Sequence, residues 1–264
     1  MSLLESLAGY LMLGMLAGTM AGLYGVGGGL IIVPSLAFVF GLQGVAPEVT
    51  MHLAVGTSLA TIAVTSASSA WGHYRRGSIR RDWLLALLPG LMFGAIAGVF
   101  VAGSLSGGRL GTLFGLFVLL VAVKMALGRG PKPGSMAPGR AVMGLAGAVI
   151  GGVSALFGIG GGTLSVPWLS RCGATMIQAV GTSSACGLPI ALFGAGTFMA
   201  VGWGNPRLPA GAIGFVMLPA FLCIVLASVP FARLGVLLAH RFSARTLRLS
   251  FAVLLTAVGL KFLL

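Results

Sequence analysis

The sequence is poor in charge and almost without acid. Of its 264 residues, 7% are charged, against about 25% in a soluble domain. The only acids are Glu5, Glu48 and Asp82. Burying a charge in an apolar medium is costly, and a chain this depleted is built for such a medium. A water-soluble globular fold is excluded. No Asp or Glu falls within an apolar run, so neither a carboxylate relay for protons nor an acidic cage for Na⁺ is available inside a membrane. Cysteine is scarce as well. Cys172, Cys186 and Cys223 have neither metal-ligand nor disulfide spacing and read as small packing residues. Two of the three histidines flank the 53–71 run, His52 just before it and His73 just after it; both read as structural or solvated. The first run has no basic segment before it, so no cleavable signal peptide is expected.

Apolar residues and glycine are abundant: 58% of residues are hydrophobic and 44 are Gly. Small residues of this kind let membrane helices approach closely. The net charge of +13 sits in short basic clusters between apolar runs, with no basic domain to hold them. Nucleic acid is therefore excluded as a partner, and the clusters read as the positive-inside signal. Trp71, Trp83, Trp168 and Trp203 lie mostly near run ends and read as interfacial anchors.

The apolar runs cover approximately 7–24, 30–40, 53–71, 84–102 and 110–127, then 141–157, 163–170, 178–201, 212–231 and 246–264. Most are long enough for a hydrocarbon core of about 30 Å. The runs 30–40 and 163–170 are not, and each directly follows a glycine cluster. The fold class expected is all-α, a polytopic transmembrane bundle. Residues 128–140 form a Pro/Gly-rich basic linker that can be neither helix nor span. The linker separates a first transmembrane repeat (1–127) from a second (141–264).

The repeats are visible in the letters. Gly22-Leu-Tyr-Gly-Val-Gly-Gly-Gly-Leu-Ile-Ile-Val-Pro-Ser-Leu36 matches Ala155-Leu-Phe-Gly-Ile-Gly-Gly-Gly-Thr-Leu-Ser-Val-Pro-Trp-Leu169. Ala54-Val-Gly-Thr-Ser58 matches Ala179-Val-Gly-Thr-Ser183, Pro89 answers Pro219, and Phe114 through Lys124 align with Phe251 through Lys261. If each half crosses four times, the 16 Lys and Arg divide 10 to 6 between the two sides. If each broken first segment turns back on itself, the halves are inverted and only Arg109, Arg207 and Lys261 leave the basic side. The second division fits the positive-inside rule better. It places the linker in the cytoplasm and both termini outside.

Residues 7–40 as one helix would be about 51 Å long, more than a bilayer accommodates. The chain is expected to break at Gly25, Gly27, Gly28 and Gly29, and again at Gly158, Gly160, Gly161 and Gly162. Breaks leave unsatisfied amides, tolerated at membrane depth only where they are buried in protein or line a wet cavity. The restarting helices present their N-terminal N–H groups, with Leu30 and Thr163 at their first turns, and an anion is the natural ligand there. Thr57, Ser58, Thr182 and Ser183 supply hydroxyl donors without adding charge. The competing reading of those hydroxyls is interhelical or backbone hydrogen bonding, and of the glycines, close helix packing. These fourteen residues are the candidate substrate-binding set; no catalytic residue, cofactor or metal is implied. Cys186 as the nucleophile of a membrane enzyme would lack a base within its span. An accessory subunit would leave the duplication unexplained.

The duplicated G-(V/I)-G-G-G-x-x-x-V-P-x-L, each copy followed by A-V-G-T-S, resembles the TauE/SafE sulfite exporter family of prokaryotic membrane permeases. His73-Tyr-Arg-Arg-Gly-Ser-Ile-Arg-Arg-Asp-Trp83 is similar to that family's His-x-x-x-Gly segment with its hydrophobic-basic-Asp-Trp continuation. The second half departs from this, having Gly202-Trp-Gly-Asn-Pro-Arg-Leu-Pro209 in place of a basic His-containing loop. The resemblance implies a multi-pass permease of the cytoplasmic membrane that exports sulfite, a small organosulfonate such as sulfoacetate, or a related anion. The expected partners are that anion and the lipid bilayer; uptake of a different anion, and self-association into a homo-oligomer, stay open.

Overall fold

The computed structural model describes residues 3–24, 28–127, 138–239 and 244–264. Ten helices and one two-stranded hairpin account for most of them: α1 (Leu3–Tyr24), α2 (Gly29–Leu42), α3 (Pro47–Arg75), α4 (Arg81–Ser104), α5 (Gly107–Ala126), α6 (Arg140–Phe157), α7 (Gly162–Arg171), α8 (Met176–Val201), β1 (Ala212–Ile213), β2 (Val216–Met217), α9 (Leu218–Ala239) and α10 (Ala244–Lys261). Among the described residues, α3, α4, α5, α6 and α8 are long and apolar enough to cross a membrane. The fold is an all-α membrane bundle. α2 has 14 residues and α7 has 10, about 21 and 15 Å of helix, so neither spans the hydrocarbon core.

The chain order of helices follows the apolar runs closely, with one exception. The run at 212–231 does not start as a helix. Gly211 at φ +87° and Gly214 at φ +53° turn the chain into the β1–β2 hairpin before α9 begins at Leu218. The match of Pro89 with Pro219 fails for a related reason. Gly147 lies against Leu87 and Gly151 against Leu91, while Gly14 lies against Ile224 and Gly18 against Ser228. That register sets Pro89 opposite Leu226, and Pro219 is only the second residue of α9.

α3 forms the centre. Every residue from Met51 to Ile62 is buried, so that stretch has no lipid face. The outer helices bury one stripe each: α4 buries Leu87, Leu91, Gly94, Ala95, Gly98, Val99 and Ala102 at helical spacing and exposes Phe93 and Phe100. Exposure of this kind suits a surface wetted by lipid tails. Of the tryptophans, Trp71 and Trp203 are exposed as anchors should be, but Trp83 is buried under the Arg80 guanidinium, 4.3 Å from its ring.

Contacts between the halves follow an exchange pattern. α6 runs along α4, where Gly90, Gly94 and Gly98 abut Gly144, Ala148 and Gly152 in turn, so the two helices are parallel. Its counterpart α1 runs along α9, also parallel. α3 packs on its own counterpart α8: the Ser69 hydroxyl donates to Ser184 (3.1 Å), and Leu59 lies against Gly194, an antiparallel register. α5 and α10 likewise pair with Leu119 on Gly259 and Phe262 on Gly111, again antiparallel.

Candidate functional site: two facing helix tips

The second break shows how a helix ends at membrane depth. Gly158 closes α6 at φ +66°, a conformation costly for any residue with a Cβ. The Ile159 N–H donates back to the Ser154 carbonyl (2.9 Å). α7 then restarts from Gly161, whose carbonyl accepts from Leu164 and Ser165 (3.2 and 2.7 Å). Among the described residues, no carbonyl accepts from the N–H groups of Gly160, Gly161, Gly162 or Thr163. In the first half Gly28 plays the part of Gly161, its carbonyl accepting from Ile31 and Ile32 (3.0 and 2.8 Å). Gly25 and Gly27 lie outside the described residues.

The tips meet. A Cβ built on Gly29 would lie 2.6 Å from the Gly158 carbonyl oxygen and 2.7 Å from the Ile159 Cα, so only glycine fits there. Leu30 beside it is buried in the apolar core. Ile62 of α3 is wedged between the tips, with its side-chain carbons 3.1 Å from the Gly29 Cβ position and 3.7 Å from that of Gly160.

The two Gly-Thr-Ser triplets behave alike in one respect and differently in another. Thr57 accepts a hydrogen bond from the Met217 N–H just before α9 (2.9 Å), and Thr182 accepts one from the Arg80 N–H just before α4 (2.9 Å). Gly56 and Gly181 make room for the same two loops, where a Cβ would meet the carbonyls of Phe215 and Ser78. Both threonines thus fasten a loop of the opposite half. Each of these oxygens accepts from backbone, and a hydroxyl that accepts keeps its own O–H as a donor. Ser58 donates to the Gly158 carbonyl (2.7 Å) and braces the second tip. Ser183, its counterpart, is 2% exposed and has no partner.

Unsatisfied hydroxyls gather on the second tip. Thr163 and Ser165 in the first turn of α7, and Ser154 in the last turn of α6, have buried hydroxyls without a hydrogen-bond partner. Buried polar groups are rarely left unpaired, and leaving one so costs roughly 1–3 kcal/mol. Ser165 Oγ folds back to within 3.1 Å of where a Gly161 Cβ would be, and Gly187 of α8 faces the same spot with Ser66 Oγ against it. Sequence reading missed Ser154, Ser165, Ser66 and Gly187. The signal was present in the repeat alignment: Ser165 stands where the first half has Ile32, Ser154 where it has Ala21, and Gly187 where it has Ile62. The hydroxyls mark the half in which the break is polar.

His52 is a packing residue near the start of α3. Its ring nitrogens face the carbonyls of Glu48 (3.2 Å) and Ala102 (3.0 Å), and its ring lies 5.1 Å from that of Phe215. Cys172 and Cys186 are buried, and Cys223 is half-buried. No group of three or more His, Cys, Asp or Glu that could hold a metal occurs among the described residues.

The sequence profile described as "Sulfite exporter TauE/SafE" matches residues 10–262. A protein of Haemophilus influenzae, named a probable membrane transporter protein, is 36% identical over 258 residues, covering 96% of this chain and 97% of its own. A probable membrane transporter protein of Methanocaldococcus jannaschii is 28% identical over 262 residues, 96% of this chain and 94% of its own. One from Bacillus subtilis is 32% identical over 174 residues, 59% of this chain and 64% of its own. With a profile spanning nearly its whole length and a relative this similar end to end, the chain belongs to the TauE/SafE sulfite exporter family and is a membrane transporter.

Proposed function

We propose that the protein is a permease exporting a small oxyanion, sulfite or a small organosulfonate, through a site at the second helix tip. The observation that carries this reading is the run of N–H groups from Gly160 to Thr163 without carbonyl partners, beside the buried, unpartnered hydroxyls of Thr163 and Ser165. Every one of these groups can donate to an oxyanion. The N-terminal end of α7 adds the positive end of its dipole, and no carboxylate belongs to the tips. An anion gains where a cation would meet only donors.

The parallel and antiparallel pairings of the helices support an inverted relation of the halves. Counterpart helices α3 and α8 run antiparallel, and so do α5 and α10. Repeats of one orientation would make each of those pairs parallel. The inverted arrangement puts the linker and most arginines on the cytoplasmic side, with both termini outside, in a prokaryotic inner membrane. Alternating access is then a rocking of the halves about the tips. Export of an anion from a negative-inside cell is downhill by about 2.3 kcal/mol per charge per 100 mV, so the membrane potential suffices as a driving force.

Flux across the membrane of proteoliposomes of set polarity tests the reading. Sulfite or sulfoacetate efflux should rise well above the protein-free level and follow the imposed potential. Thr163→Val and Ser165→Ala should each cut it at least tenfold while the protein stays monodisperse. Wild-type flux in both variants would sink the site, and flux at the protein-free level with another solute transported would sink the substrate.

A further inference from the structure

At the end of α3 remote from the arginine-rich 73–83 segment, the first turns of α1, the α2–α3 turn and the β1–β2 hairpin border an open cavity of about 330 Å³. That is the lower end of the size range of ligand pockets. Leu7, Met217 and Pro219 give it an apolar wall, and Ser6, Tyr10 and Gln43 a polar one. Among the described residues its lining holds no charged side chain. Tyr10, 1% exposed, donates its hydroxyl to Gln43 Oε1 (2.7 Å). This bond fixes the amide and leaves Gln43 Nε2 buried without an acceptor.

A primary amide held in that orientation presents two N–H donors with nothing to receive them. Its natural complement is an acceptor oxygen. An inorganic oxyanion, with acceptors on every side, would press most of them against Leu7, Met217 and Pro219, a costly burial. A molecule with one acceptor head and a short carbon chain matches both walls. We infer that this cavity is a second binding site, for a small organic sulfonate or carboxylate whose oxygens take the Gln43 amide and Ser6 hydroxyl and whose chain lies on the apolar wall. The assignment rests on the anion-permease reading, in which the site is the outer station of the path. Met217 forms one wall of the cavity and is bonded through its N–H to Thr57, and the adjacent Ser58 braces the second tip.

The test uses 1-propanesulfonate, acetate and sulfite on the full chain in nanodiscs. Ala210→Cys, in the lining but outside the proposed ligand groups, is introduced with Cys223→Ala, Cys172 and Cys186 being buried. Propanesulfonate should slow alkylation of the new thiol at least fivefold, sulfite should not, and adding Gln43→Leu should abolish the protection. Calorimetry on Gln43→Leu alone is the second readout: propanesulfonate bound per protein should drop by one molecule relative to wild type. Unchanged protection and unchanged stoichiometry in Gln43→Leu overturn the site, as does equal protection by sulfite. Protection by acetate alone moves the ligand class to carboxylates, and protection by neither organic anion rejects it. Ser165→Ala separates the two proposals. If it abolishes flux while protection is absent, the outer site alone fails; if protection persists while flux is unaffected, the second-tip site alone fails.

Discussion

At the scale of single residues, the two threonines of the repeated triplet hold backbone of the other half. Thr57 and Thr182 each satisfy a backbone N–H of the other half at 2.9 Å. Replacing Thr57 by Val keeps the shape and strands the Met217 N–H in a buried setting, at about 1–3 kcal/mol. Thr57→Val should therefore lower the apparent unfolding temperature of the detergent-solubilised protein, and Thr57→Ser should restore most of it. Equal melting of the Val and Ser variants would refute the bond's contribution. The same change at Thr182 should cost less, because the Arg80 N–H lies in a partly buried contact.

Among elements, the α4–α6 seam is a close approach built on glycine. Gly90, Gly94 and Gly98 have no room for a Cβ, since one at Gly94 would fall on the Ala148 backbone. Membrane helices gain little from expelling water and hold together by such packing. Gly94→Val should push the helices apart and leave the protein aggregated or absent from the membrane on fluorescence-detected size exclusion. Gly196, exposed on α8 with open space beside it, should accept Ala with no change in that profile. A normal profile for Gly94→Val would show that the seam tolerates separation.

The whole molecule raises the question of orientation. Gly108 at the start of α5 and Arg140 at the start of α6 are both exposed, and the inverted arrangement puts the first outside and the second in the cytoplasm. In a background lacking Cys223, a membrane-impermeant maleimide applied to intact cells should label Gly108→Cys and spare Arg140→Cys until the cells are permeabilised. The reverse pattern would turn the protein over and with it the direction assigned to the outer cavity.

Much of this was written in the sequence. Low charge and ten apolar runs determined a membrane bundle, because a bilayer tolerates few buried charges and sets the length of what crosses it. Glycine clusters determined where the first helix of each half must break, and the recurrence of both motifs carried the family. Registers and partners were decided only by tertiary structure. The alignment of Pro89 with Pro219 failed because a hairpin, not a helix, opens the 212–231 run, and hairpin geometry depends on positive φ at Gly211 and Gly214. The acceptor role of the threonines was not legible because it depends on Met217 and Arg80, 160 and 102 residues away. The polarity of the second tip was legible as Thr and Ser letters. That those hydroxyls stay buried and unpaired is a property of packing, and no spacing in the chain predicts it.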